Sequence, residues 1–502
     1  MRSKRSRFIN RSSLRKPAYE IGIFAGRALS EVQVKATQIT GLTAGREYFR
    51  FFFDPVGCIC RLYRRHGPVT ALGRVALKQP RDLLIFAIGP EFNRLLFSDP
   101  DLFRPTGLIL PGPRDSAQRR VRLGLTRMIG PQHRQQRQLV APPFHRAAVQ
   151  GYHDIMVEVV QRLITEWKIG NCIDIHEKVR ALTLRIASAV LFSRDPAEAY
   201  PIGRMLEDWV RRCFSIGVWV YPLPVPGSPY HGMVRQAERI ERALLAMIER
   251  RRADPGARSD VLSLLMQARD NEGRGMTNAE LLGQAAILFI ASFETTTSAL
   301  TWSLFLLAQH PAVMHDLMDE IESVLGGDAP PRPDQLPQLP FLQCVIKESM
   351  RILPPVPYTV RVAQQPVKVG PFDVPQETRV VASHYLTHHL ADLYPEPERF
   401  RPERWRDINP TQYEYLPFNA GPRICIGAAF ATQVLKISLA MILQRFRFTV
   451  VAGTHINRIV TISMNPRHGL PMIVAKKDRN YSVSEVRGQI REMVNFPSNG
   501  SG

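Results

Sequence analysis

The chain has 502 residues, 66 Lys and Arg against 45 Asp and Glu for a formal net charge of +21, and 45% hydrophobic residues. That apolar fraction excludes a disordered or collagen-like chain, and the absence of a Gly/Ser linker or low-complexity stretch predicts one large domain. Its cysteines, Cys58, Cys60, Cys172, Cys213, Cys344 and Cys425, make no disulfide framework and no CxxC spacing, which predicts a reducing compartment; the charge suits an acidic partner or an anionic membrane surface better than nucleic acid, for which no motif is present.

Residues 1–16, MRSKRSRFINRSSLRK, carry seven Arg and Lys and no acid. We read residues 1–41 as a basic tail or arm, with a transit peptide or lipid-binding arm as its functional alternatives; no apolar run follows that would serve as a signal peptide or anchor. Residues 42–66 have amphipathic helical spacing, and 67–89 read as a β-hairpin region. From about residue 130 to 308 the pattern is helical, interrupted at YPLPVPGSPYHG. Residues 354–424, rich in proline and aromatics, predict short strands and irregular loops, followed by a last long helix over 426–445 and the strand-like FRFTVVAG and IVTISM. Residues 478–502 read as a polar tail. The fold class is mainly α with a smaller β-rich part, in one catalytic domain over 42–477.

Residues 281–308, LLGQAAILFIASFETTTSALTWSLFLLA, are long enough to span a bilayer. Gln284, the single charge Glu294, the central Thr/Ser run and the lack of a basic flank predict a buried core helix instead. Thr277 and Glu280 form a capping box, and no proline intervenes before Pro311, so the helix extends for ~50 Å. Hydroxyls of Ser292 and Thr295 to Thr297 compete for backbone carbonyls and are expected to open the ladder locally. Glu294 beside Thr295 is a candidate proton relay, with a solvent-facing polar patch as the bland alternative.

Glu348 and Arg351 share a helix face ahead of the Pro354-Pro355 corner, and with Arg404 they would place two guanidinium forks on one carboxylate. His133 and Arg137, at i and i+4, could hold an anionic group or simply be solvated. In FNAGPRICIG, Cys425 stands between Gly421 and Gly427 at the start of the last helix, where the macrodipole and free amides favour a thiolate, as nucleophile or metal ligand.

Together these residues resemble the cytochrome P450 family. Its loop F-x-x-G-x-R-x-C-x-G is met by Phe418, Gly421, Arg423, Cys425 and Gly427, a chance match on the order of 10⁻⁴ for a chain of this length. Glu348-x-x-Arg351, Arg404 within Pro402-Glu403-Arg404-Trp405, and Ala291 to Thr296 match further family segments, in the family's order over residues 42–477. The resemblance implies the P450 fold with the long helix over haem b, Cys425 as iron ligand, and His133, Arg137, Ala291, Arg361, Phe418, Gly421, Arg423 and Gly427 binding the cofactor. Glu294 and Thr295 would be catalytic, and Glu348, Arg351 and Arg404 structural. The implied reaction inserts one oxygen atom of O₂ into a hydrophobic small molecule (fatty acid, terpenoid or steroid-like), with electrons from a separate ferredoxin or flavodoxin-type donor and its reductase.

By the same resemblance, residues 103–122 and 200–230 roof the pocket, and 356–360 and 459–462 wall it. Ser292 stands at the family's usual glycine, and Trp405 replaces the usual Phe, a change expected only to repack. The soluble, bacterial-type character points to the cytoplasm, with peripheral membrane contact and a processed mitochondrial form left open. A haem-thiolate sensor without turnover and a cysteine hydrolase or transferase are the competing functions.

Overall fold

The computed structural model describes residues 36–73, 83–107, 109–254, 256 and 258–497. The basic stretch before residue 36 and the turn expected inside the hairpin region lie outside the described residues. Contacts group the chain from Lys35 onward as one compact unit.

The central helix, Asn278–Ala308, organises the helical part. Its start is fixed reciprocally: the Glu280 amide donates to Thr277 Oγ1 at 3.3 Å, and the Thr277 amide donates to Glu280 Oε2 at 2.9 Å. Apolar side chains occur around most of its circumference because most of it is covered. It packs on helices Ile175–Leu191, Pro196–Cys213, Pro340–Ile352 and Ala428–Leu443. Among the described residues no helix is long and apolar enough to cross a membrane.

The β-rich part is a mixed six-stranded sheet in the order Ala36–Ile39, Val69–Gly73, Leu83–Ala87, Arg379–Ala382, Thr359–Ala363, Phe103–Pro105. A second sheet pairs Phe446–Val450, Pro471–Lys476 and Cys172–Asp174. Strands Arg458–Val460 and Met464–Pro466 form a hairpin tied to the central helix, since Ser298 Oγ and Trp302 Nε1 both donate to the Met464 carbonyl, at 2.6 and 2.8 Å.

Three expectations change. The single helix over 42–66 is two, Gly41–Phe53 and Pro55–His66, because Pro55 ends one ladder and Asp54 caps the next by accepting from the Gly57 amide at 3.1 Å. The strand Ala36–Ile39 falls inside what reads as a tail and pairs in parallel with Val69–Gly73. At the other end, Val486, Ile490, Met493 and Val494 are buried, and Phe496 meets the Phe305 ring edge-on at 5.9 Å, so most of the polar tail returns to the core. Alternating charged residues hide those few anchors from a composition-based reading.

Glu348, Arg351 and Arg404 form one buried network. Arg351 Nε and Nη2 donate to the two Glu348 oxygens at 2.9 Å each, and Arg404 Nε and the Arg401 amide add bonds of 3.0 Å to Oε1. Trp405 does more than repack: its Nε1 donates to Glu348 Oε2 at 2.9 Å, a bond no phenylalanine can make. Arg351 Nη1 donates to the His388 carbonyl at 2.8 Å, and the Leu416 amide donates to His388 Nε2 at 2.8 Å, which carries the network into the segment leading to Cys425. His388 must be neutral for this, and burial, then His384 and Arg351, holds it well below the usual imidazole range.

Trp405→Phe should lower stability by about 2 kcal/mol, the value of a buried hydrogen bond to a charge, and Glu348→Gln by roughly 3–5 kcal/mol, because two guanidiniums lose their counter-charge. Chemical unfolding of both variants checks the ranking. Burial, joined by Arg180, Arg361 and Arg351 respectively, lowers His176 to about 4 and His384 and His389 to about 3, from 6.5. The unfolded chain therefore takes up protons that the fold refuses. Stability is complete above pH 6.5 and falls as the pH drops toward 4, by up to ~1.4 kcal/mol per unit for each histidine; unfolding midpoints at pH 7.5, 6 and 5 test this.

Candidate active site

The segment from Phe418 to Gly427 folds as a tight loop between the network and the last helix. The Cys425 amide donates to the Phe418 carbonyl at 2.8 Å, and the 3-10 turn Gly421–Arg423 closes with an Ile424 amide bond to the Gly421 carbonyl at 3.0 Å. Gly421 has φ +68°, and a Cβ there would collide with the Phe97 carbonyl, so this glycine answers to neighbouring backbone as well as to its own turn. Gly427 differs: the nearest atom to a Cβ would be Cys425 Sγ at 3.8 Å, which leaves space beside the sulfur. The helix starts at Ala428 with Gly427 as its cap, two residues later than its sequence pattern suggests. Cys425 is surrounded by protein yet exposed, the condition of a side chain lining an internal cleft. Burial pushes its thiol up, while the Gly427 amide and the Arg137 charge pull the other way.

Cations gather at this loop. Arg137 Nη2, on helix Gly130–Val140, donates to the Ile424 carbonyl at 2.8 Å, and Arg423 Nη2 donates to the Met128 carbonyl at 2.6 Å. Arg361 is buried with its guanidinium 4.9 Å from the Phe97 ring centre, and burial together with Arg423 lowers it to about 10. His133 is buried too; burial, then Arg423 and Arg137, lowers it to about 4, so it is neutral. None of these arginines has an acidic partner among the described residues, and Arg423 Nε is buried with no hydrogen-bond partner. Such a cluster calls for an anion. A cleft of about 610 Å³ bordered by His133, Arg134, Arg137 and Arg423 opens beside it.

The central helix leaves one stripe accessible. Between residues 281 and 307 only Ile287, Ala291, Ser292 and Thr295 escape burial, and Ile287, Ala291 and Thr295 follow the i, i+4, i+8 spacing of one face. Hydroxyls bond back along the helix as expected, Ser292 to the Phe289 carbonyl at 2.8 Å and Thr295 to that of Ala291 at 2.9 Å, yet the helix stays continuous. Glu294 points elsewhere. It is buried and accepts from Arg180 Nη2 at 3.0 Å, and Arg180 Nε also donates to Glu207 at 2.7 Å. Burial pushes Glu294 above the usual carboxylate range, against the pull of Arg180. No local pattern marks Arg180 or Glu207, which lie on helices far away along the chain; an acid buried mid-helix does, however, require some such cation.

A flat macrocycle with two carboxylates and a metal fits these residues: an accessible thiol, space beside it, arginines without an acidic partner among the described residues, and a small accessible residue, Ala291, on the central helix. Comparisons agree. The family model for Cytochrome P450 matches residues 113–471. The cyclooctat-9-en-7-ol 5-monooxygenase of Streptomyces melanosporofaciens is 32% identical over 379 residues, 73% of this chain and 81% of that protein. The cytokinin hydroxylase of Arabidopsis thaliana is 29% identical over 371 residues, 71% of this chain and 72% of that one. Among solved structures, the retinoic acid-bound cyanobacterial CYP120A1 aligns with a TM-score of 0.75 and 25% identity, over 85% of this chain and 95% of that one. The chain belongs to the cytochrome P450 family, and its cofactor is haem b.

Proposed function

We propose that Cys425 would ligate the haem iron of this monooxygenase, that Arg137, Arg361, Arg423 and neutral His133 would receive the two propionates, and that residues 42–477 form its catalytic domain. When bound, haem supplies the centre at which O₂, two electrons and two protons yield water and one oxygen atom for insertion into a C–H bond. The remaining chemistry belongs to the chain. Phe418 and Gly421 fix the loop, Gly427 leaves room at the sulfur, and Ala291 lets the central helix approach closely.

The accessible stripe of Ile287, Ala291 and Thr295 in a helix otherwise buried is the observation that carries this reading. Thr295 Oγ1 donates to the Ala291 carbonyl, so its lone pairs remain to hold a water or a proton donor in the cleft. Glu294, raised by burial, is suited to give up and regain a proton, but its carboxylate is held by Arg180, so delivery to Thr295 requires water or a swing away from Arg180. Ser292, which also escapes burial, donates to the Phe289 carbonyl while the helix runs on through it.

The substrate is a hydrophobic small molecule, and the fatty acid, terpenoid or steroid-like range fits the apolar segments 356–360 and 459–462 that we assign to the pocket wall. Electrons arrive from a separate protein, for which we favour an acidic ferredoxin or flavodoxin docking near exposed Arg134 and half-buried Arg137. Six free cysteines fit a cytoplasmic location, and the exposed Leu42, Phe49, Phe52 and Phe53 would serve any peripheral membrane contact.

Thr295→Ala should keep its haem but divert electrons to hydrogen peroxide, read as the ratio of NAD(P)H consumed to product with surrogate redox partners; unchanged coupling contradicts the role. The rate of reduction by a reduced acidic ferredoxin should fall as salt rises from about 0.01 to 0.5 M. A salt-independent rate removes the electrostatic docking.

A further inference from the structure

The loop that crosses the N-terminal half of the central helix carries two arginines without an acidic partner among the described residues. It is seated firmly: a Cβ on Gly124 would stand 2.6 Å from the Gly283 carbonyl, and the Leu125 amide donates to Gln284 Oε1 at 3.0 Å. Arg122 precedes this contact, and Arg127 ends the 3-10 turn Leu125–Arg127. The two guanidiniums converge on Gly107, where a Cβ would overlap that of Arg127 and lie 3.2 Å from Arg122 Nη2. Arg122 Nε is buried without a hydrogen-bond partner.

Neighbouring cations are already engaged. Arg104 pairs with Glu377 at 2.7 Å, Arg120 holds Glu241 through Nη2 at 2.8 Å, and Arg119 Nε donates to the Gly112 and Pro113 carbonyls at 2.9 and 3.0 Å. Arg122 and Arg127 have no acidic partner among the described residues, and burial, then Arg127 and Arg119, lowers Arg122 to about 10. Arg137 and Arg423 donate to the Ile424 and Met128 carbonyls, whereas the Arg122 and Arg127 guanidiniums meet at Gly107. Arg122 also feels Cys213, which ends helix Pro196–Cys213, and Tyr230, whose hydroxyl fixes the loop by donating to the Pro111 carbonyl at 2.9 Å. Along the helix, Gly283 precedes Ala291 by ~12 Å, and Ile287 lies between them on the accessible stripe.

We propose that Arg122 and Arg127 form a fork for a substrate carboxylate, so that the preferred substrate is a hydrophobic carboxylic acid; this rests on the monooxygenase reading above. Two planar guanidiniums meeting at one point match the two oxygens of a carboxylate, and an anion between them removes their mutual repulsion. The apolar body then runs past Ile287 toward Ala291 and Thr295, and oxidation falls at a carbon remote from the carboxyl group.

Substrate-induced spin-state titration of the holoenzyme tests this with dodecanoic, hexadecanoic and abietic acids, each against its methyl ester. At least one acid should bind roughly tenfold or more tightly than its ester, and Arg122→Gln and Arg127→Gln should each erase most of that preference while leaving ester affinity unchanged. Arg235→Gln, at an exposed site, should leave the preference intact and so separates the fork from the overall positive charge. No acid preference in any pair, or a preference that survives both fork variants, overturns the proposal. Failure of the monooxygenase reading itself would appear separately, as a haem-loaded preparation that oxidises neither the acids nor the esters with NAD(P)H and surrogate redox partners.

Discussion

The Glu348 carboxylate is the fixed point of this molecule. It takes bonds from Arg351, Arg404, Trp405 and the Arg401 amide with no exposure to solvent, so both oxygens are saturated where an unmet charge would be most costly. From it the connections run outward to the cysteine loop. Trp405 and Tyr415 pack at 4.5 Å, the Tyr415 hydroxyl donates to the Lys347 carbonyl at 2.9 Å, and His388 joins Arg351 to Leu416. A loop of short strands and prolines has little regular hydrogen bonding of its own; this network supplies the rigidity that places Cys425.

Opposite solutions to burying charge sit at the two ends of that loop. At Glu348 the guanidiniums are neutralised within the fold, whereas Arg137, Arg361 and Arg423 have no carboxylate partner among the described residues. An anionic ligand there would relieve their mutual repulsion, and on the proposed cofactor assignment this would couple haem binding to stability. Glu294 follows the first pattern, held by Arg180, which keeps a titratable group inside the core without exposing it.

Much of this was legible in the sequence. The capping box at Thr277, the unbroken apolar run after it and the Cys425 loop are local patterns, and local patterns survive folding. Glu348, Arg351 and Arg404 could be paired because two share a helix face and the third follows a proline corner. What escaped depends on long-range placement. Arg180 reaches Glu294 from another helix, Trp405 hydrogen-bonds through an atom that a packing argument ignores, and Gly421 is required by Phe97, more than 300 residues earlier. The C-terminal segment was misjudged because its few buried anchors are diluted by charge.

On the proposed assignment this network presents Cys425 as a thiolate ligand to haem, a state that the reduced carbon-monoxide difference spectrum reads. The native chain should show a strongly red-shifted Soret band, and Cys425→Ala should lose that band while its unfolding transition persists. A haem-loaded native protein without the shifted band, or a Cys425→Ala protein that keeps it, would contradict the account.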